Sequence, residues 1–200
     1  MVSAQIDPFA RNLLQLGYDQ PLAGRGPQAA YVYYYYNEPQ FHQRTNLALR
    51  VAVAPVYFDG ELGFRQLLSP QTDAGLALSG GGFSDNYYEV RQGRYHREES
   101  FEGYGGGAAL KLYHRLNPGQ FIPLNAVGQG GFHYSTYDRT AETAPAFKIP
   151  DERVNTFVRA GFRLAGKEPL LYPDLAMELS VWYERQWRLE EEDDYGYAKD

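Results

Sequence analysis

The stretch 174–188, DLAMELSVWYERQWR, alternates apolar and polar residues with a period of two. The apolar series is Leu175, Met177, Leu179, Val181 and Tyr183, and the polar series includes Glu178, Ser180, Glu184, Gln186 and Arg188. Successive side chains of a strand leave opposite faces of the sheet, so this period predicts a β-strand with one apolar and one charged face. The stretch 154–165 repeats the pattern, which extends the prediction to a second strand.

The composition of the chain excludes several classes of protein. No run of about 18 apolar residues occurs, so the sequence encodes no transmembrane helix. A mean hydropathy of −0.53 is compatible with membrane-spanning strands, because only half of their residues are apolar. The net charge is −6, from 19 Lys and Arg against 25 Asp and Glu. This acidic balance argues against a nucleic-acid partner, since nucleic-acid binders carry basic patches.

The period-two pattern and the turn residues between its segments divide the chain into predicted strands. They lie at about 30–37, 45–58, 61–68, 73–84, 104–115, 121–138, 153–165 and 174–189. Turn signals separate several of them, at Asp59-Gly60, Ser69-Pro70, Asn117-Pro118-Gly119 and 166–169. We therefore predict an all-β fold, an antiparallel up-and-down sheet of about 8–10 strands in one domain.

Three segments organise this domain. Residues 1–30 are predicted to form a mostly irregular N-terminal segment, and residues 31–189 an antiparallel β-barrel. Residues 190–200 are predicted to be an acidic tail or the start of an external loop.

The connections between predicted strands differ in length. Those at 85–103 and 139–152 are long and polar, whereas the other connections after residue 70 are shorter. Successive strands alternate in direction. If the two long connections lie at one end of the sheet, the first predicted strand also starts at that end. Either a further strand near Phe9–Tyr18 moves that start to the opposite end, or one of the predicted hairpins is wrong, and the pattern leaves this choice open.

Strand length and aromatic placement favour a membrane sheet. The stretches 121–138 and 174–189 are longer than the ~5–6 residues usual in globular proteins, and a tilted strand needs about 9–11 residues to cross a bilayer. Aromatic residues gather near predicted strand ends, where a membrane barrel carries its aromatic girdles. They are Tyr31, Tyr33, Tyr34, Tyr35, Tyr36, Tyr57, Phe58, Tyr87, Tyr88, Tyr134, Tyr137, Trp182, Tyr183 and Trp187.

Together with the alternation and the unequal loops, these features resemble the bacterial outer-membrane β-barrel class over roughly residues 31–189. The resemblance implies a transmembrane barrel in a Gram-negative envelope, with membrane lipid as its partner and small polar solutes as candidate cargo. Such barrels usually end in a strand that closes on a terminal aromatic residue, whereas 190–200 is acidic, so the chain is either a whole barrel or a fragment of a larger one. Residues 1–5 show no signal-peptide pattern, so the resemblance implies a leader outside this sequence.

Seven charged residues lie opposite apolar neighbours in the predicted strands: Arg50, Arg65, Lys111, Arg159, Arg163, Glu178 and Glu184. In a barrel these side chains face the lumen, where they lock a narrow interior or line a wide channel and set its ion preference. In a soluble sheet they form a solvated face that contributes little to stability. Because 153–165 and 174–189 are sequential, we predict that Arg159 or Arg163 pairs with Glu178 or Glu184.

The residues that alternate with these charged positions are predicted to share one apolar face of the sheet. Its members are Leu175, Leu179, Val181, Val158, Phe162, Ile122, Leu124, Leu110 and Leu112.

One motif points to catalysis. His133-Tyr134-Ser135 places a His and a Ser two residues apart, on one face of a strand, and is similar to the His-x-Ser of outer-membrane lipid A deacylases. The family continues with Asn, whereas this chain has Thr136. Its acidic partner would be Glu142 or Asp138, and no spacing supports either.

Other candidate sites are not supported by the sequence. The glycine triplets 80–82 and 105–107 are followed by no Gly-Lys-Ser/Thr, so they predict close strand packing across a hairpin rather than a phosphate loop. The remaining histidines, His42, His96 and His114, are scattered, and no metal site or cofactor is predicted.

Three functional hypotheses therefore stand. The first is a non-enzymatic outer-membrane barrel, porin-like or structural, with a charged lumen. The second is a membrane-embedded lipid-ester hydrolase that uses His133 and Ser135. The third is a soluble β-barrel or sandwich that acts as a binding module, with its apolar face inward. The oligomeric state is left open by all three.

Overall fold

A computed structural model describes residues 6, 9–19, 29–52, 57–82, 85–165, 178–189 and 195–197. These residues form ten β-strands. The strands are β1 (Arg11–Asp19), β2 (Ala29–His42), β3 (Thr45–Ala52), β4 (Tyr57–Ser69), β5 (Thr72–Gly81), β6 (Tyr87–Arg91), β7 (Arg94–Arg115), β8 (Leu124–Arg139), β9 (Arg153–Ala165) and β10 (Glu178–Arg188). The predicted all-β fold and strand number are confirmed.

The strands form one antiparallel sheet in the order β1-β2-β3-β4-β5-β7-β8-β9-β10, and β6 adds to β7 outside this path. Apart from β5, which pairs with β7 rather than β6, each strand pairs with the next strand in the chain, which is the up-and-down topology that short connections favour. Among the described residues, no helix is long and apolar enough to cross a membrane.

The two ends of the sheet differ in their connections. One end, here called the short-turn end, carries the turns 43–44, 70–71 and 116–123. The opposite end, here called the loop end, carries the β6–β7 hairpin and the segment 140–152. β1 begins at the short-turn end, so the early strand that the sequence left open exists and restores the alternation of loop lengths.

The sheet is open, which corrects the prediction of a closed barrel. In the described residues β1 pairs only with β2, and β10 pairs only with β9. The path contains nine strands of alternating direction, so β1 and β10 run parallel to each other. An antiparallel ladder therefore cannot join these two edges directly.

The two faces of the sheet have opposite chemistry. The outward face carries exposed apolar side chains, including Leu16 (71% exposed), Leu110 (68%) and Val181 (65%). The inward face carries buried polar side chains: Asn37, Asn46, Glu61, Asp73, Arg115, Asn125, Ser135 and Arg163. The sheet thus encloses its polar face and exposes its apolar face, which is the reverse of a soluble sandwich.

The predicted apolar face is confirmed for the residues that lie in described strands. Val181 pairs with Phe162 and Leu179 pairs with Leu164, which in turn pairs with Leu124, so these side chains share the outward face. Val158, Leu110 and Leu112 have the same parity and are exposed. Glu178 lies on the opposite face from Leu179. Ile122 precedes β8, and Leu175 lies outside the described residues.

The turn predicted at Asp59-Gly60 is wrong, because both residues lie inside β4. Asp59 pairs with Arg50 of β3, and its carboxylate receives two hydrogen bonds from that guanidinium. A cross-strand ion pair therefore overrides the turn preference of Asp-Gly, and the predicted strands 45–58 and 61–68 become β3 and β4.

The stretch 85–103 is not an irregular connection. It contains β6 and the first part of β7, which pair through a tight turn at Gln92 and Gly93, where φ is positive. β7 has 22 residues and extends beyond its partner β5 at the loop end. Its extension packs with 140–152 around a small aromatic cluster of Phe101, Tyr137 and Phe147.

Candidate functional site: the inward polar face

The inward face contains two ion pairs between β9 and β10, where at least one was predicted. Arg159 Nε hydrogen-bonds the Glu184 carboxylate, and Arg163 Nε lies 3.3 Å from Glu178 Oε1. Arg159 and Arg163 also lie over the Trp182 ring, each with its guanidinium carbon 5.6 Å from the ring centroid. The prediction succeeds because it needs only the parity of two sequential strands.

A second group of charges joins strands that are not adjacent. The buried Glu61 of β4 accepts hydrogen bonds from Lys111 Nζ (2.6 Å) and Tyr113 Oη (3.3 Å) of β7, across the intervening β5. Lys111 was predicted from its place in the alternating pattern, whereas Glu61 was not, because their contact joins residues 50 positions apart in the chain. The charge-assisted contact ties β4 to β7 on the inward face.

Gly75 of β5 makes room for this crossing. It pairs with Gly63 on one side and Lys111 on the other, and a Cβ atom at this position would lie 2.6 Å from Glu61 Oε1. The missing side chain therefore leaves the path along which Glu61 reaches β7.

We expect Gly75→Ala to lower the free energy of unfolding by about 1–3 kcal/mol, because the methyl group displaces a buried charged hydrogen-bond acceptor. Gly128→Ala is the matched control, since Gly128 is also a strand glycine but a Cβ there meets no atom within 4 Å. Urea titration of both variants measures the difference. Equal stability of the two variants would contradict the role of Gly75.

The other predicted inward charges have separate partners. Arg50 binds Asp59, with Nη2 at 2.8–2.9 Å from both carboxylate oxygens. Arg65 Nη2 donates to the backbone oxygen of Pro39 at 2.9 Å. The seven predicted charges thus form several local contacts along the inward face, and the structure does not gather them into one cluster.

The N-terminal part of the chain contributes to this face. Ile6 is 1% exposed, and its backbone N–H donates to Asp73 Oδ2 at 3.4 Å. Gly63 leaves the space that the Ile6 side chain fills, because a Cβ on Gly63 would lie 2.6 Å from Ile6 Cδ1. Asn37 Nδ2 donates to the Phe9 backbone oxygen at 2.6 Å. These contacts place Ile6 and Phe9 against β2, β4 and β5, which was not predicted from the sequence.

His133 and Ser135 lie on the inward face, but the structure does not arrange them as nucleophile and base. His133 Nε2 contacts the Asp85 carboxylate at 2.8 Å, and neither predicted acidic partner contacts it. Ser135 is 3% exposed, and within the described part of the chain no hydrogen bond joins it to His133. Asp85 was missed because it lies 48 residues away along the chain.

The glycine triplets face each other as predicted, with Gly80 opposite Gly106 and Gly81 opposite Gly105. A side chain on Gly105 would overlap the Asp85 carboxylate. The glycines therefore allow Asp85 to fold over β7 and reach His133.

The loop end carries its own polar and aromatic contacts. Tyr87 stacks on Phe101, with ring centroids 5.1 Å apart, and its hydrogen bond to the Glu89 carboxylate raises its pKa to about 12. His96, Glu98 and Glu99 bring three potential metal-ligand atoms within 4.8 Å of one another, a grouping that the sequence analysis missed. Glu99 also forms an ion pair with Arg91 at 2.5 Å, which occupies part of this group.

A comparison with known protein families, with curated proteins and with solved structures finds no match to this chain.

Proposed function

We propose that this chain is a non-enzymatic outer-membrane β-barrel protein with a charged lumen, porin-like or structural. The observation that carries the proposal is the inverted burial of the sheet. Buried polar groups and exposed aliphatic groups on opposite faces are expected when lipid, rather than water, surrounds the outward face. Membrane lipid is then the partner of the outward face, and small polar solutes are the candidates for the inward face.

The distribution of charge on the outward face supports this proposal. That face of the described strands carries mostly aliphatic, aromatic and small side chains. Its polar exceptions include Asn12, Glu38 and His114 toward the short-turn end, and Arg185 of β10, which pairs with Val158 of β9. Arg185 lies over the Trp187 ring at 5.3 Å from the centroid, an arrangement suited to a membrane interface.

The aromatic residues support the same assignment. Several occupy outward positions near the loop end: Tyr18, Phe58, Tyr104, Tyr134 and Trp187. Such a row corresponds to the girdle at the level of the lipid headgroups.

Closure of the barrel requires a further element. Because β1 and β10 run parallel, antiparallel closure needs an odd number of additional strands between them. The proposal therefore includes a barrel of more strands than the nine on the present path. A closed ladder would remove both free edges, which are otherwise templates for aggregation.

The test is electrophoretic migration of the protein after refolding into lipid vesicles, with and without boiling in SDS. We expect faster migration of the unboiled sample, because a sheet that the additional strands have closed has no free edge from which SDS can separate the strands. A protein that stays monomeric and folded in buffer without detergent or lipid would contradict the proposal and favour the soluble binding module.

The hydrolase alternative has weaker support. Its Ser135 is enclosed on the inward face, whereas membrane lipid would lie on the outward face. The proposed non-enzymatic function predicts that Ser135→Ala changes neither folding nor the products of incubation with lipid esters, as measured by mass spectrometry. Ester cleavage that disappears in this variant would favour the hydrolase.

A further inference from the structure

A cavity of about 150 Å³ opens on the inward face near the middle of the sheet. Its floor consists of small residues of β5 and β7, including Ala77, Ser79, Gly107 and Ala109. Large side chains surround this floor, with Tyr57 of β4 on one side and Phe157 of β9 on the other. The cavity therefore exists because four adjacent inward positions carry small side chains or none.

Polar groups of both signs line the cavity. Asp59 of β4 supplies a carboxylate, Lys111 of β7 an ammonium group, and Gln129 and His133 of β8 an amide and an imidazole. Asp59 and His133 belong to one row of paired residues, separated by Ser79 and Gly107. The anionic and cationic groups thus line the cavity from different strands.

Each charged group of the cavity is held by a partner. Arg50 binds Asp59, Glu61 binds Lys111, and the Asp85 carboxylate contacts His133 at 2.8 Å. Glu61 is itself held by Tyr113. Supported side chains of this kind lose little conformational freedom when a ligand binds, which is the property of a preorganised site.

From this arrangement we infer that the cavity binds a small zwitterion, a solute with one ammonium and one carboxylate group. Its ammonium group interacts with Asp59, and its carboxylate interacts with Lys111. A solute with one charge would match only one side of the cavity. The volume equals that of about five waters at ~30 Å³ each, which fits a solute of about six non-hydrogen atoms.

The inference deepens the proposed function by naming a solute class for the inward face. The zwitterion inference rests on the proposed outer-membrane function only because the barrel would be the route by which the solute reaches the cavity. Binding is therefore measured on the whole folded protein in detergent, so that a failure to bind is distinguishable from a failure to insert into membranes.

The test is calorimetric titration with L-alanine, L-lactate and isopropylamine. Lactate replaces the ammonium group of alanine by a hydroxyl group, and isopropylamine replaces the carboxylate by a methyl group. We expect saturable binding of alanine and at least tenfold weaker binding of both analogues. Equal binding of lactate or isopropylamine would overturn the zwitterion assignment, and no saturable binding of alanine would overturn the site.

Variants locate the binding in the cavity. Ala109→Leu fills the floor and is expected to abolish alanine binding, whereas Ala160→Leu, the same change on the outward face, is expected to leave it unchanged. Gln129→Ala removes a lining group that takes part in none of the cavity's ion pairs, and we expect it to weaken binding at least threefold even if Ala109→Leu fails to fold. Full binding by Gln129→Ala or by folded Ala109→Leu would overturn the location.

Discussion

Glu61→Ala is expected to lower the free energy of unfolding by about 3–5 kcal/mol, because it leaves the Lys111 ammonium group without its carboxylate partner. The Glu61 side chain is 3% exposed and that of Lys111 is 13% exposed, so water does not replace the lost contact. The substitution also removes the acceptor of the Tyr113 hydroxyl group. Reversible unfolding by urea in detergent micelles measures the loss.

Two further variants separate the ion pair from general effects of truncation. Glu142→Ala removes a carboxylate from an exposed pair with Arg97 at the loop end, and we expect a loss within about 0.5 kcal/mol. The double variant Glu61→Leu, Lys111→Met is expected to regain most of the stability, since it buries no unpaired charge. A loss for Glu61→Ala no larger than that for Glu142→Ala would show that water reaches the inward face.

The sequence predicts those contacts that depend on parity and chain neighbours. The β9–β10 ion pairs follow from the alternation of two sequential strands, and the facing glycines follow from one hairpin. The contact between Glu61 and Lys111 depends on a glycine in a third strand, Gly75, which leaves no sign in a pattern of alternation. Contacts that cross a strand require the register of the whole sheet, and single-sequence patterns do not fix that register.

Local preferences fail where a distant partner competes with them. Asp59-Gly60 is a strong turn signal, yet the pairing of Asp59 with Arg50 keeps both residues in β4. Asp85 likewise lies near the loop end and contacts His133 through the space left by Gly105. The sequence predicts a turn at Asp59 and a loop at Asp85, because it shows the residue type at each position but not the distant partner of its side chain.

Val158→Arg is expected to cost about 2–4 kcal/mol in a bilayer, the penalty for an arginine near the midplane on the lipid face of a barrel. Val158 lies near the middle of β9 on the outward face and is 53% exposed. For a soluble protein, substitution of so exposed a side chain would change stability by about 0.5 kcal/mol or less. Val158 pairs with Arg185 of β10, so this substitution and its control are made in an Arg185→Ala background, where no second arginine faces the new one and the variant tests the surrounding solvent.

Val90→Arg is the matched control, because Val90 is 51% exposed and lies in β6, within the hairpin at the loop end. A membrane barrel keeps this hairpin in water, so we expect an effect within about 0.5 kcal/mol there. The measurement is the free energy of unfolding of both variants in lipid vesicles. A large loss for Val158→Arg beside a negligible loss for Val90→Arg is expected if lipid surrounds the sheet. Equal, small effects would mean that water surrounds the outward face, and the outer-membrane proposal would then fall.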